Sequence, residues 1–186
     1  MKKSYLKIII YFFSLSFPLG QFSSSLKTAR MHEINKDWDA AISIYKDVVN
    51  KNPNSFQAIR NLKNIYKKSQ RYEEGINFLQ YYLNRNPKDI QLYIELGEFY
   101  FLNENIEEAK KTWANGLLIF NGNKSYYRIL LSTYDKYSLE KEIFDMVEKG
   151  RKNFGESFLA QELGNYYQRR TEYKKAIDEY ILTLLS

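Results

Sequence analysis

Chemistry in this chain would have to come from a short list of side chains. There is one histidine, His32, and no cysteine in 186 residues. Without cysteine there are no disulfides, no thiolate metal sites, no thiol nucleophile and no cysteine-linked lipid anchor. Paired acids occur at Glu73-Glu74 and Glu107-Glu108, and Asp37 and Asp39 flank Trp38. Two carboxylates sharing a cleft could divide acid and base roles between them. These acids instead stand at expected helix starts, where negative charge favours the positive end of the helix and the side chains point to solvent. A histidine without a partnered nucleophile or metal cluster is rarely catalytic, and His32, where the other repeats carry Tyr, is read as a packing residue. Gly97, Gly116, Gly122, Gly150 and Gly155 are isolated, so no glycine loop can cradle a phosphate. The reading is therefore no catalytic residues, no metal site, no cofactor and no enzyme.

The formal charge of +6 points toward nucleic acid, and its distribution points away. Residues 1–20 hold Lys2, Lys3 and Lys7 and no acid, which leaves a charge of +3 on the remainder. That charge is dispersed, with no basic stripe for phosphates. The 17 Tyr and 12 Phe could stack on bases, but most fall on periodic packing positions. Nucleic acid is not an expected partner.

The N-terminus reads as an address. Met1-Lys2-Lys3 is followed by an apolar stretch, Leu6 to Leu19, interrupted by Lys7, Ser14 and Ser16. Pro18-Leu19-Gly20 and Ser23-Ser24-Ser25 then supply small residues. This order matches a secretory signal peptide over residues 1–23, with cleavage after Gly20 or within Ser23–Ser25. The run falls short of the roughly 20 apolar residues of a membrane span. An uncleaved anchor, giving membrane association through this segment alone, is the alternative. Export to a bacterial periplasm or cell envelope is the expected location.

The elements that position everything else follow a beat of 34 residues. Asn52-Pro53 and Asn86-Pro87 recur at that interval, as do Leu62, Leu96 and Leu130, and Tyr66, Tyr100 and Tyr134. Ala41, Gly75, Ala109 and Ile143 keep the same spacing, and a fifth copy shifted by one carries Leu163, Gly164, Tyr167, Tyr173, Ala176 and Tyr180. Within a copy, apolar steps of three and four residues mark two amphipathic helices, such as Ile90–Tyr100 and Ile106–Leu117. Small residues (Ala29, Gly97, Gly164; Ala41, Gly75, Ala109, Ala176) let the two helices approach, and Leu96, Tyr100 and Trp113 fill the space around the contact. One hairpin cannot bury its apolar face alone, whereas stacked neighbours can.

Tyr93, Leu96, Gly97, Tyr100, Ala109 and Trp113, with Ala29, Trp38, Ala41, Tyr45 and Pro53, resemble the tetratricopeptide repeat family over about residues 22–186. The resemblance implies an all-α, right-handed α-solenoid of stacked antiparallel helix hairpins. Repeats are read at 22–55, 56–89, 90–123, 124–156 and 157–186, the last incomplete, with the solenoid domain starting at 24. Leu131 and Ile143 are large where small residues are expected, so the helices of the fourth repeat should stand farther apart or tilt. Lys63 is a similar departure in the second.

In this family the first helices of the repeats line a concave groove, so the resemblance implies a scaffold for a protein or peptide partner. The expected groove residues are Arg60, Asn61, Asn64 and Lys67, then Ile94, Glu95, Glu98 and Phe101, then Arg128 and Asp135. Arg and Asn suit a peptide backbone or its carboxylates, while Ile94 and Phe101 suit an apolar anchor. Some relatives clamp a C-terminal carboxylate; Glu95, Ser125 and Ile129 stand where that clamp needs amide and basic residues, so it is not expected here. The sequence stops at Leu184-Leu185-Ser186 inside a second helix, leaving Ile177, Tyr180, Ile181 and Leu184 without a following helix. The alternative to a scaffold is thus a self-assembling segment of a longer array, associating through that face.

Overall fold

The computed structural model describes residues 19–185, with side chains from Ser23 onward. Ten helices form, and no strand occurs among the described residues. They are α1 (Leu19–Ile34), α2 (Trp38–Lys51), α3 (Phe56–Lys68), α4 (Tyr72–Arg85), α5 (Ile90–Leu102), α6 (Ile106–Ile119), α7 (Lys124–Lys136), α8 (Glu140–Phe154), α9 (Ala160–Arg169) and α10 (Tyr173–Leu184). The all-α class expected from the sequence is what forms. Residues 1–18 of the expected export segment lie outside the described residues, and α1 runs unbroken across the expected boundary between 23 and 24. No helix among the described residues is long and apolar enough to cross a membrane.

Local chemistry sets the helix ends. Asp37, Ser55, Asp89, Asn105 and Asn123 each accept a bond from the first-turn backbone of the helix that follows, the usual remedy for unpaired N–H groups. The prolines limit the second helices: α2 stops at Lys51 and α4 at Arg85, each two residues before its proline.

The turn inside each hairpin has a feature the sequence did not suggest. Lys36, Gln70, Glu104, Ser138 and Thr171 all adopt left-handed backbone, with φ between 56 and 61°. None is glycine. After α5, Glu104 N–H donates to the Phe101 carbonyl at 3.0 Å and Asn105 N–H to the Tyr100 carbonyl at 2.9 Å. The same pair of bonds recurs at Lys36 and Asp37, at Ser138 and Leu139, and at Thr171 and Glu172. These bonds close the last turns of α1, α5, α7 and α9 and offset the cost of the left-handed residue.

The chain divides into two compact units between Ser69 and Gln70. In the N-terminal unit α2 packs on both α1 and α3. Ala29 and Ala41 are fully buried, and Tyr45, Leu62 and Ile65 complete the core. The C-terminal unit stacks the hairpins α5/α6, α7/α8 and α9/α10, with α4 against α5. Trp113, Tyr126, Tyr127, Tyr166 and Phe99 are its largest fully buried side chains, with Leu130 and Ile143 also fully buried. The backbones of α7 and α8 approach over fewer residues than those of α5/α6 or α9/α10, with Leu131 and Ile143 both buried. Large side chains where neighbouring hairpins carry small ones hold that pair apart.

Candidate functional site

In the N-terminal unit the faces of α1 and α3 enclose an open pocket of about 440 Å³, lined by Arg30, Glu33, Ile34, Arg60, Asn61, Asn64 and Lys68. Its floor is a hydrogen-bonded network. Tyr45 donates its hydroxyl to Glu33 Oε2 at 3.2 Å, and Asn61 Nδ2 donates to the same hydroxyl at 3.3 Å. Lys68 Nζ donates to Glu33 Oε1 at 2.6 Å. Burial, reinforced by the nearby Glu33 carboxylate, pushes the Tyr45 phenol up to about 12. Glu33 is thereby satisfied from two sides. Arg30 and Arg60 pair with no carboxylate among the described residues, and the Asn64 amide is also unengaged. The pocket therefore presents two uncompensated positive charges beside a free amide.

The C-terminal unit treats its first helices differently. Lys136 Nζ on α7 donates to Glu98 Oε1 on α5 at 2.8 Å, and the Tyr137 hydroxyl donates to the same oxygen at 3.3 Å. Burial works against the Lys136 charge, but the bonds and charges of Glu98 and Tyr137 together outweigh it and hold the ammonium above its ordinary value. Arg128 Nε donates to Glu162 Oε1 on α9 at 2.6 Å. Asp135 accepts from Arg169 at 2.6 Å and from Arg170 at 2.9 Å, both on the α9 side. Successive first helices are joined by charge pairs at three of the expected contact positions, Glu98, Arg128 and Asp135.

Of the ten expected groove residues, only Arg60, Asn61 and Asn64 line the N-terminal pocket. Lys67 is half-buried and already engaged. Ile94 is not on a ligand face: it is 5% exposed, in the core of its unit, and its backbone oxygen binds Trp113. Phe101 is half-buried, its ring 4.2 Å from that of Tyr137, so it packs inward rather than anchoring a ligand. Glu95 accepts from Gln91 at 3.1 Å. Glu98, Arg128 and Asp135 are spent on the pairs above. Sequence reading missed Arg30 and Glu33. A signal was available: Glu33 and Lys68, Arg128 and Glu162, and Asp135 and Arg169 are opposite charges about one repeat apart.

His32 Nδ1 lies 2.8 Å from Asp37 Oδ2, tying the end of α1 to the residue that caps α2. The paired acids share no cleft: Glu74 meets Arg71, Glu107 meets Lys110, and Glu108 meets Lys111, all within one turn of their own helix. Among the described residues, no three His, Asp or Glu side chains are grouped to hold a metal ion.

Residues 34–93 match the family model of the tetratricopeptide repeat. That match makes this segment similar to the tetratricopeptide repeat and covers less than half of the chain. The segment runs from the end of α1 into α5 and includes the whole α3 side of the pocket. A curated relative, the general transcriptional corepressor ssn6 of Schizosaccharomyces pombe, is 24% identical over 115 residues, covering 60% of this chain. The chain spans only 10% of that corepressor's length. Among solved structures, the MamA protein is 18% identical, with 88% of this chain and 90% of that one covered at a TM-score of 0.49. A tetratricopeptide repeat protein of Thermus thermophilus is 13% identical, with 86% and 88% covered at a TM-score of 0.49.

Proposed function

We propose that this chain is a non-catalytic scaffold that binds an acidic segment of a partner protein against α1 and α3. The observation that carries the reading is the pocket in which Arg30 and Arg60 lack carboxylate partners while Asn64 leaves its amide open. Two guanidinium groups present planar donor forks that fit carboxylates, and an amide can bond an extended backbone. Glu33 does not cancel them, because Lys68 and Tyr45 already occupy it. We further propose export to the cell envelope, for which Met1-Lys2-Lys3 and the apolar stretch behind it are the support.

Two measurements test this reading. Acidic, neutral and basic peptide pools are titrated against the chain, with Arg30→Ala and Arg60→Ala as variants. Binding of the acidic pool alone, weakened at least tenfold by either variant, is the expected result. Equal binding of all pools, or binding that ignores both arginines, would sink the pocket. For location, residues 1–25 are fused to a reporter active only outside the cytoplasm; a silent reporter removes the export proposal.

A further inference from the structure

Glu33 is the one acid among the described residues that line the basic pocket. It stands one helical turn from Arg30, on the same helix. Opposite charges three residues apart on a helix are neighbours and pair readily. Arg30 nevertheless has no carboxylate partner among the described residues.

The cause lies across the pocket, on α3. Arg60, Asn64 and Lys68 follow at intervals of four residues, which sets them on one face of that helix. The Lys68 ammonium crosses to α1 and holds Glu33 Oε1 at 2.6 Å. The Tyr45 hydroxyl holds Oε2 at 3.2 Å, and Asn61 steadies that hydroxyl at 3.3 Å. Both carboxylate oxygens are engaged, and the Glu33 side chain is 16% exposed against 59% for Lys68. Arg30 lies in the same neighbourhood: burial and then Glu33 raise the Tyr45 phenol, while the Arg30 charge opposes them. Arg30 is thus within reach of a carboxylate that Lys68 already occupies.

We propose that Lys68 determines the pocket's selectivity for acidic segments, acting through Glu33 and not by touching the ligand. The proposal rests on the reading of the pocket as a site for such segments. Lys68 cancels the Glu33 charge and keeps that carboxylate from capturing Arg30. Two guanidinium groups then stay open to the partner, one from α1 and one from α3. Without Lys68, Glu33 turns to Arg30 one turn away, and the α1 side of the pocket is lost to an internal pair. Lys68 is therefore a positioning residue: its ammonium is spent inside the pocket so that Arg30 is not.

The test titrates acidic and neutral peptide pools against the 186-residue chain and its variants. Lys68→Met should weaken acidic binding about tenfold, the scale of coupling between groups in one network. Lys68→Arg, which keeps the charge on Glu33, should bind as the wild type does. Adding Glu33→Gln to Lys68→Met should restore acidic binding to within about twofold of wild type. The carboxylate that captures Arg30 is then gone, while the glutamine oxygen still accepts from Tyr45. That restoration also shows that the fold survives the loss of Lys68. Undiminished binding in Lys68→Met, or a loss that Glu33→Gln does not repair, would overturn the role of Lys68 and leave the pocket reading standing. A wild-type chain that binds no acidic peptide would overturn both.

Discussion

The indole nitrogen of Trp113 donates to the backbone oxygen of Ile94 at 3.1 Å, across the α5/α6 hairpin. The indole can reach that oxygen because its ring lies directly over Gly97, where an added Cβ would collide with Nε1 and Cε2. The ring is rigid and fully buried, and it touches Phe101, Tyr134 and Tyr137, so it has nowhere to move.

Gly97→Ala should therefore destabilise the chain by roughly 1–3 kcal/mol, the usual cost of overpacking a tight core. Urea unfolding followed by tryptophan fluorescence would measure it. A neutral substitution would mean that α5 and α6 can slide apart freely.

Glu104→Gly should act in the opposite direction. Glu104 pays for left-handed backbone that glycine adopts without strain. Part of the gain is lost to the greater freedom of glycine in the unfolded chain, leaving about 0.5–1 kcal/mol of added stability. Ser138→Gly and Lys36→Gly occupy the same turn position and should behave alike in thermal melts.

Alkali should weaken the fold early. Tyr45 ionises at about 12 when folded, against 10.0 ordinarily, because burial and then Glu33 oppose the phenolate. Burial raises Tyr126 and Tyr134 as well. A group whose folded pKa is raised contributes its stability fully below the unfolded value and loses it as pH climbs toward the folded value. Stability should be level up to about pH 10 and fall between there and about pH 12. Tyr45→Phe should flatten that fall, as read from urea midpoints at stepped pH.

The arginines should separate into two classes. Arg60→Ala should leave stability within about 0.5 kcal/mol, as for a surface residue without partners, and lose the acidic peptide. Arg128→Ala should cost about 0.2–1 kcal/mol through its exposed pair with Glu162, leaving peptide binding unchanged. Parallel calorimetry and thermal melts on both variants distinguish the two.

The helices were legible because burial in this fold is periodic. Leu62, Leu96 and Leu130 recur at one interval, and all three are buried. The hairpin turns were not, because Lys36, Gln70, Glu104, Ser138 and Thr171 share no residue type and carry no glycine, and at four of them the bonds that close the turn are backbone ones. The site was half legible. Arg60, Asn61 and Asn64 could be placed from one repeat, but the pocket also needs α1. Glu98, Arg128 and Asp135 were placed on the groove from their own repeats, while the counter-charge of each sits in the next. Ile94 failed for a different reason: a helix as apolar as α5 buries residues on more than one side, so a fixed face assignment breaks down there.

The bonds from Glu98 to Lys136, Arg128 to Glu162, and Asp135 to Arg169 lie across the seams between hairpins and never inside one. Packing and neutral bonds, such as Trp113 to the Ile94 carbonyl and Tyr180 to Asn165, hold each hairpin together, whereas its attachment to the next is partly ionic. Dissolved salt shields such exposed charges over about 10 Å at 0.1 M. Ionic strength should therefore act on this unit as a tuning screw acts on a spring, changing its stiffness from hairpin to hairpin while each coil stays intact.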